Sequence, residues 1–312
     1  MTVAVLNAFT KPMLEGRLPG WLDARFFGST EELYELAPLA EIGWFDSFDL
    51  PSTYEATRLA TNMKWLNTLA AGIDPFPLDL LRERSVTMTN GAGLNAITIA
   101  EYAVMGMLVI AKGYREVVRS QERREWLHEA PGKQELYGSK ALIVGAGGIG
   151  GRVGELLRPW GVDVTGVRRR PAPGVLTADE WRSRLGDFDW VIIAVPSTPD
   201  TDKMMGAAEF AAMKPGASVL NFARGAVLDQ DALMDALERG TVGGAFLDVT
   251  DPEPLPSDHP LWTFDNVHIT SHLSGRSQDK LFLRSADRFV ENLELWKQGK
   301  PLVSQVDLSL GY

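Results

Sequence analysis

Short apolar runs alternate with stretches of helical periodicity along almost the whole chain, the pattern of an α/β fold. In the first third, VAVLN, ARFF, IGWF, KWLNTL and SVTMT read as strands, with helices at Glu31 to Leu36 and Pro51 to Thr57. A long helix is predicted from Asn95 to Gln121, followed by a polar loop around HEAPGKQELYG. From Lys140 the pattern sharpens. KALIVG, DVTGV, WVIIAV, ASVLNF, GGAFLDV and NVHIT are near-continuous apolar strands, and helical patterns lie at 150–160, 178–185, 207–213 and 230–239. Strands of that kind belong to a parallel sheet covered on both faces. The tail, Ser277 to Gln298, is a single helical pattern with an apolar stripe at Leu281, Leu283, Phe289, Leu293 and Trp296.

These elements predict two domains. Residues 95–280 form a Rossmann-type, doubly wound parallel sheet. Residues 1–94, completed by 281–312, form a smaller α/β domain. The 312 residues, 45% hydrophobic and 23% charged, leave room for sizeable cores. A formal charge of −10 argues against a nucleic-acid partner. The absence of cysteine removes disulfides and thiolate chemistry, and fits a reducing compartment. MTVAVLNAFTKPMLEG lacks the basic and apolar regions of a signal peptide. The most apolar run, Ala96 to Ala111, is interrupted by Glu101 and falls short of the roughly 20 residues of a membrane span. A buried helix in a cytoplasmic protein without a membrane partner is expected.

The first chemical signal is VGAGGIG, which places Gly145, Gly147 and Gly150 in a G-x-G-x-x-G between a predicted strand and a predicted helix. Gly145 would make the tight turn, Gly147 would admit a pyrophosphate, and Gly150 would let the helix pack against the sheet. The helix N-terminus would supply N–H groups and positive potential to the phosphates. The next strand ends at Val167. An NAD site would place an acidic residue there, on the ribose 2′-hydroxyl; this chain has Arg168, Arg169 and Arg170. Arginine pairs with a 2′-phosphate that a carboxylate would repel, so NADP(H) is expected in preference to NAD(H), with Arg168 and Arg169 as the clamp. Arg170, before Pro171, is expected to face solvent.

Ligands of open parallel sheets bind outside the carboxyl ends of the strands. VLNFARG delivers Arg224 there, GAFLDV delivers Asp248 with Glu253 close behind, and VHITSHLSG delivers His272. A cation, two carboxylates and an imidazole would thus share one crevice. Of the other histidines, His128 and His259 lie in loops that read as surface, and His268 lies inside a strand. No histidine pair has a recognised metal-ligand spacing, so no metal is expected.

On these residues, and on LAAGID, PSTPDT, MKPGASVLNFARGAVLD and DPEPLPSDHPLW, the chain resembles the D-isomer-specific 2-hydroxyacid dehydrogenases. EPLPSDHPLW and the arginines resemble the glyoxylate/hydroxypyruvate reductase-like branch. The resemblance implies an oxidoreductase moving a hydride between NADP(H) and a small 2-oxo or D-2-hydroxy acid. It implies that Arg224 holds the substrate carboxylate and polarises its carbonyl, that His272 is the general acid/base, and that Glu253 pairs with it and favours the imidazolium. Ala71 and Gly72 would bind the substrate carboxylate through backbone N–H groups. Gly148 and Ile149 would contact the pyrophosphate. Pro196, Thr201, Phe222 and Ala223 would lie along the cofactor, and Asp248 would contact the nicotinamide carboxamide. A homodimer built through the nucleotide domain is also implied, with Trp126 a candidate contact. Ser271 stands where the family most often has proline. Trp44, Phe45, Phe48, Trp65 and Pro75 could shape the substrate pocket or be ordinary core. Two other activities stay open on the sequence: a dinucleotide-sensing corepressor-like scaffold, and a formate- or phosphite-type dehydrogenase.

Overall fold

The computed structural model describes residues 1–46, 50–73, 76–169, 174–276 and 280–309. The expectations for Phe48, Pro75, Arg170 and Ser277 lie outside the described residues. The chain divides into two compact units, one of residues 1–95 with 277–312 and one of residues 96–276.

The first unit is built on five parallel strands: β1 (Thr2–Asn7), β2 (Leu22–Phe27), β3 (Ile42–Trp44), β4 (Trp65–Asn67) and β5 (Thr87–Thr89). Their order, β2-β1-β3-β4-β5, is the flavodoxin-like one. Helices α1 (Lys11–Leu14), α2 (Thr30–Leu36), α3 (Leu50–Leu59) and α4 (Leu78–Glu83) connect them. Local chemistry starts α2: Ser29 Oγ accepts from Glu32 N at 3.2 Å and Glu32 Oε2 accepts from Gly28 N at 2.6 Å, which satisfies donors the first turn leaves open.

The tail helix, Leu281–Lys297, completes this unit. Phe289, fully buried, packs with its ring centroid 4.9 Å from Trp44 and 5.2 Å from Trp65, and Trp65 in turn stacks on Trp296 at 5.7 Å. Asn292, also fully buried, binds Val303 through both ends of its amide, at 2.7 and 3.1 Å, and so fixes the return of the chain. Trp44, Phe45 and Trp65 are therefore core residues. The predicted stripe needs one correction: Leu283 is half exposed, because its position falls off the face that carries Leu281, Phe289 and Leu293.

The second unit opens with α5 (Ala96–Lys112) and α6 (Tyr114–Arg123). The sequence pattern predicts one helix here; the two segments meet at 67°. The break falls at Gly113, which is left-handed at φ +58° and lies against the backbone of Pro131 and Gly132. No single helix among the described residues is long and apolar enough to cross a membrane, although the bent pair α5–α6 is by length and composition. One side of α5 is buried, through Ala100, Ala103 and Met107.

Seven parallel strands follow: β6 (Lys140–Val144), β7 (Asp163–Val167), β8 (Val175–Leu176), β9 (Trp190–Ile193), β10 (Ala217–Asn221), β11 (Val242–Leu247) and β12 (Val267–Ile269). Their order is β12-β11-β10-β9-β6-β7-β8. Strand order reverses between β6 and β9, which marks a Rossmann-type sheet and places its ligand crevice at the carboxyl end of β6. Helices α7 (Gly148–Leu157), α8 (Ala207–Ala212) and α9 (Gln230–Glu238) cover the sheet. Two pattern-based expectations change. The segment predicted as helix at 178–185 forms a 3₁₀ turn, Arg182–Asp187, and β8 has no counterpart in the pattern because it pairs only two residues with β7.

Truncating Phe289 to Ala would empty the centre of the aromatic stack. An expected loss of roughly 3–5 kcal/mol follows from large-to-small core substitutions. Urea denaturation followed by tryptophan emission checks it, and a loss below about 1 kcal/mol would contradict the role given to this ring.

Candidate active site

The glycine turn has the backbone its three positions require. Gly145 lies at φ +99°, and a Cβ there would stand 2.5 Å from Ala194 O. A Cβ on Gly150 would stand 2.3 Å from Gly145 O, so α7 can cross this close only without a side chain. A Cβ on Gly147 would meet nothing within 4 Å, which leaves the turn open on its outer side. The first intrahelical bond of α7 runs from Gly151 N to Gly147 O at 2.8 Å, so the N–H groups of Gly148 and Ile149 precede the helical ladder. An anionic pyrophosphate fits such a cradle.

Arg168 follows β7 directly. Its Nε donates to Ala146 O, inside the glycine turn, at 2.6 Å. The guanidinium is thereby braced beside the turn, and its Nη groups have no acceptor among the described residues. Arg168 and Arg158 line a cavity of about 220 Å³ between α7 and β7, with Gly150, Gly151 and Gly154 along its wall. Arg169 is exposed next to it. At the end of β9, Thr201 Oγ1 donates to Pro196 O at 2.8 Å and accepts from Thr198 N at 2.8 Å, which closes the PSTPDT turn.

The turn after β10 carries Arg224. Asn221 shapes it, accepting from Ala223 N at 3.0 Å and donating to Arg224 O at 3.0 Å. Phe222 and Ala223 have buried side chains, and the Phe222 ring lies tilted against Phe246 with centroids 5.9 Å apart. Arg224 itself is partly exposed, with Nη1 donating to Ala223 O at 2.9 Å.

His272 leaves the end of β12. Its Nδ1 lies 2.8 Å from Glu253 Oε2, and Glu253 Oε1 accepts from Thr250 N at 3.1 Å. An ionised Glu253 can only accept, so Nδ1 carries the proton of this bond and Nε2 is the nitrogen available for chemistry. Ser271 and His272 are both left-handed, at φ +51° and +57°. Proline, fixed near φ −65°, could not adopt the conformation of Ser271. A cavity of about 430 Å³ adjoins the pair, lined among others by Leu255, Trp262, Ser271 and Arg276.

Asp248, buried, organises the same loop. Its Oδ1 accepts from Thr270 Oγ1 at 2.6 Å and from Leu273 N and Ser274 N at 3.1 Å each; its Oδ2 accepts from Ser274 Oγ. Its main-chain oxygen accepts from His272 N at 2.6 Å.

The other three histidines take no part. His128 is exposed. His259 is half-buried rather than fully on the surface, because its Nδ1 caps the 3₁₀ turn Pro260–Thr263 by accepting from Leu261 N at 3.2 Å. His268 stacks on Phe246, and burial, aided by Arg115 and Arg119, pushes its pKa down to about 4. It is neutral at pH 7 and a poor proton donor there.

In the first unit, Ala71 and Gly72 sit in the turn after β4. Their N–H groups donate to no acceptor among the described residues. The sequence pattern does not single out Asp46, the residue that shapes this turn, nor Asn221, Thr270 and Ser274. Each acts through bonds to backbone or to another side chain, and no spacing rule signals that. Their only clue in the sequence is a polar residue at the end of an apolar strand.

A family model described as "D-isomer specific 2-hydroxyacid dehydrogenase, NAD binding domain" matches residues 104–274. The human glyoxylate reductase/hydroxypyruvate reductase is 31% identical over 259 residues, covering 79% of this chain and 78% of that protein. A D-isomer-specific 2-hydroxyacid dehydrogenase family protein from Aeromonas salmonicida is 28% identical with a TM-score of 0.85, covering 98% of this chain and 99% of that one. A family member from Xanthobacter autotrophicus Py2, solved with NADPH and MES, is 27% identical with a TM-score of 0.80, covering 100% and 99%. With a Rossmann-type sheet, an open glycine cradle and a histidine–carboxylate pair at the strand ends, the chain belongs to the D-isomer-specific 2-hydroxyacid dehydrogenases, a family of NAD(P)-dependent oxidoreductases.

Proposed function

We propose that this protein reduces a small 2-oxo acid, glyoxylate, hydroxypyruvate or a near relative, to its D-2-hydroxy acid, with NADPH as the preferred reductant. The observation that carries the reading is the 2.8 Å His272–Glu253 pair at the carboxyl ends of β11 and β12, with Arg224 at the end of neighbouring β10. The name of the human relative supports the substrate class, and the handedness of the product is taken from the family.

Arg224 binds the substrate carboxylate and faces the carbonyl oxygen, where it stabilises the negative charge that develops there. NADPH, when bound, supplies the hydride. His272, protonated, donates from Nε2 to the new hydroxyl and keeps its Nδ1 proton on Glu253; in the oxidative direction the neutral ring accepts it back. Glu253, fixed by Thr250 N, orients the ring through its bond to Nδ1. Ala71 and Gly72 offer their N–H groups to the substrate carboxylate.

Gly145, Gly147, Gly148, Ile149 and Gly150 hold the pyrophosphate. Pro196, Thr201, Phe222 and Ala223 flank the cofactor. Oδ2 of Asp248, with a single donor on it, retains acceptor capacity for the carboxamide. Arg168, braced on Ala146 O, and Arg169 take the 2′-phosphate; the NADPH complex of the Xanthobacter relative supports that preference. We also infer a homodimer, supported by the large exposed side chains that follow α5, with Trp126 86% and Tyr137 79% exposed.

Initial rates with NADPH and NADH, each against glyoxylate, hydroxypyruvate, pyruvate and a bulky 2-oxo acid, test the reading. Fast NADPH oxidation with a small acid is the expected result; fast rates with NADH alone would remove the arginine clamp, and no rate with any pair would remove the activity. Exchanging Arg168 for Asp should lower the preference for NADPH over NADH by at least about tenfold, the scale of one charged hydrogen bond. An unchanged ratio of kcat/KM values would assign the 2′-phosphate elsewhere. Changing His272 to Ala should lower kcat by about 10²–10⁴-fold while NADPH binding, followed by its fluorescence, stays within about threefold. Near-normal turnover would place the acid on another group.

A further inference from the structure

The turn that presents Ala71 and Gly72 is held by a carboxylate to which no role has been given. Asp46 lies just beyond β3, between β1 and β4 in the sheet order. Its Oδ1 accepts from Thr68 Oγ1 at 2.6 Å; its Oδ2 accepts from Leu69 N and from Trp44 Nε1, each at 2.7 Å. Its own carbonyl accepts from Asn7 Nδ2, at the end of β1, at 2.7 Å. One acidic residue therefore ties the carboxyl ends of three strands together. Thr68, with its hydrogen on Asp46, accepts from Ala70 N at 3.1 Å.

The far side of the turn is fixed as firmly. Gly91 N donates to Ala70 O at 2.8 Å and Asn90 Nδ2 donates to Ala71 O at 2.8 Å. A Cβ on Gly91 would lie 1.9 Å from Leu69 O. Of the four successive N–H groups from Leu69 to Gly72, the first goes to Asp46 and the second to Thr68. Those of Ala71 and Gly72 have no acceptor among the described residues. Burial pushes the Asp46 carboxyl above its ordinary range, against the pull of its three hydrogen bonds.

We infer that Asp46 is a positioning residue for the substrate carboxylate: by taking Leu69 N directly and Ala70 N through Thr68, it leaves the N–H groups of Ala71 and Gly72 as the donors for the 2-oxo acid. The inference rests on the proposed function above. It carries a sign that plain electrostatics does not. Asp46 is an acid close to an anion site, so removing its charge should by Coulomb's law tighten a bound carboxylate. If Asp46 acts by positioning, removing it weakens that binding.

Asp46→Asn cannot offer acceptors to all three donors, since one end of an amide only donates. The experiment compares the wild type with Asp46→Asn, Thr68→Val and Thr68→Ser. It reads KM and kcat for the best 2-oxo acid, the dissociation constant of NADPH, and the dissociation constant of oxamate from the NADPH-loaded enzyme. KM and the oxamate constant should rise by roughly tenfold in Asp46→Asn and Thr68→Val, the scale of one hydrogen bond to a charged group, with kcat and NADPH affinity within about threefold. Thr68→Ser, which keeps the hydroxyl, should restore the wild-type values. Tighter oxamate binding in Asp46→Asn, an unchanged KM in both variants, or a Thr68→Ser no better than Thr68→Val would each overturn the inference. Thr68→Val keeps the test open should Asp46→Asn not fold. A wild type that binds oxamate but turns over no 2-oxo acid refutes the proposed activity alone, because the oxamate constants still judge Asp46. A wild type that neither binds oxamate nor turns over a 2-oxo acid refutes both.

Discussion

The geometry of the His272–Glu253 pair depends on a single buried acid, Asp248. Its carboxylate and carbonyl gather five donors from the segment 270–274, including the backbone N–H of His272. Two consecutive left-handed residues form the bend, a conformation costly enough to persist only where surrounding bonds hold it. Those bonds come from the end of β11, and Glu253, which meets the imidazole, lies five residues further along the same chain. The imidazole and the carboxylate that meets it are thus fixed by one strand end. A parallel sheet makes this possible because all its strands finish on the same side.

The same logic operates in the first unit with a different acid. Asp46 joins the ends of β1, β3 and β4 as Asp248 joins those of β11 and β12. In both places a carboxyl group short of water collects several donors and in return defines a turn. An acceptor-only group is suited to such a place, because backbone loops expose N–H groups that need partners and a carboxylate can take several at once.

The sequence displayed the sheet strands clearly because burial on both faces writes them as continuous apolar runs. It made the glycine turn and Arg224, Glu253 and His272 stand out because they lie at or soon after the ends of such runs, where ligands of open parallel sheets bind. It hid features that depend on close approach rather than on period. The break at Gly113 reads as helix, since one glycine does not interrupt an apolar pattern; the abutting backbone of Pro131 and Gly132 accounts for it. Leu283 has the right composition for the stripe and the wrong angle. Asp46 and Ser274 were invisible because their partners are backbone groups and hydroxyls that the fold alone brings near.

The tail helix has a consequence for how the protein is made. Residues 1–95 emerge from the ribosome first, but the ring that fills their core, Phe289, is synthesised after the whole of 96–276. Until then Trp44 and Trp65 lack this ring, and the apolar side of β1, β3 and β4 is covered only in part, by side chains such as Leu14 and Phe9 from residues 1–95. The intervening unit, continuous in sequence, can fold as soon as it is complete. The unit whose synthesis starts earlier is therefore the last to finish, because its closing segment follows the whole of 96–276.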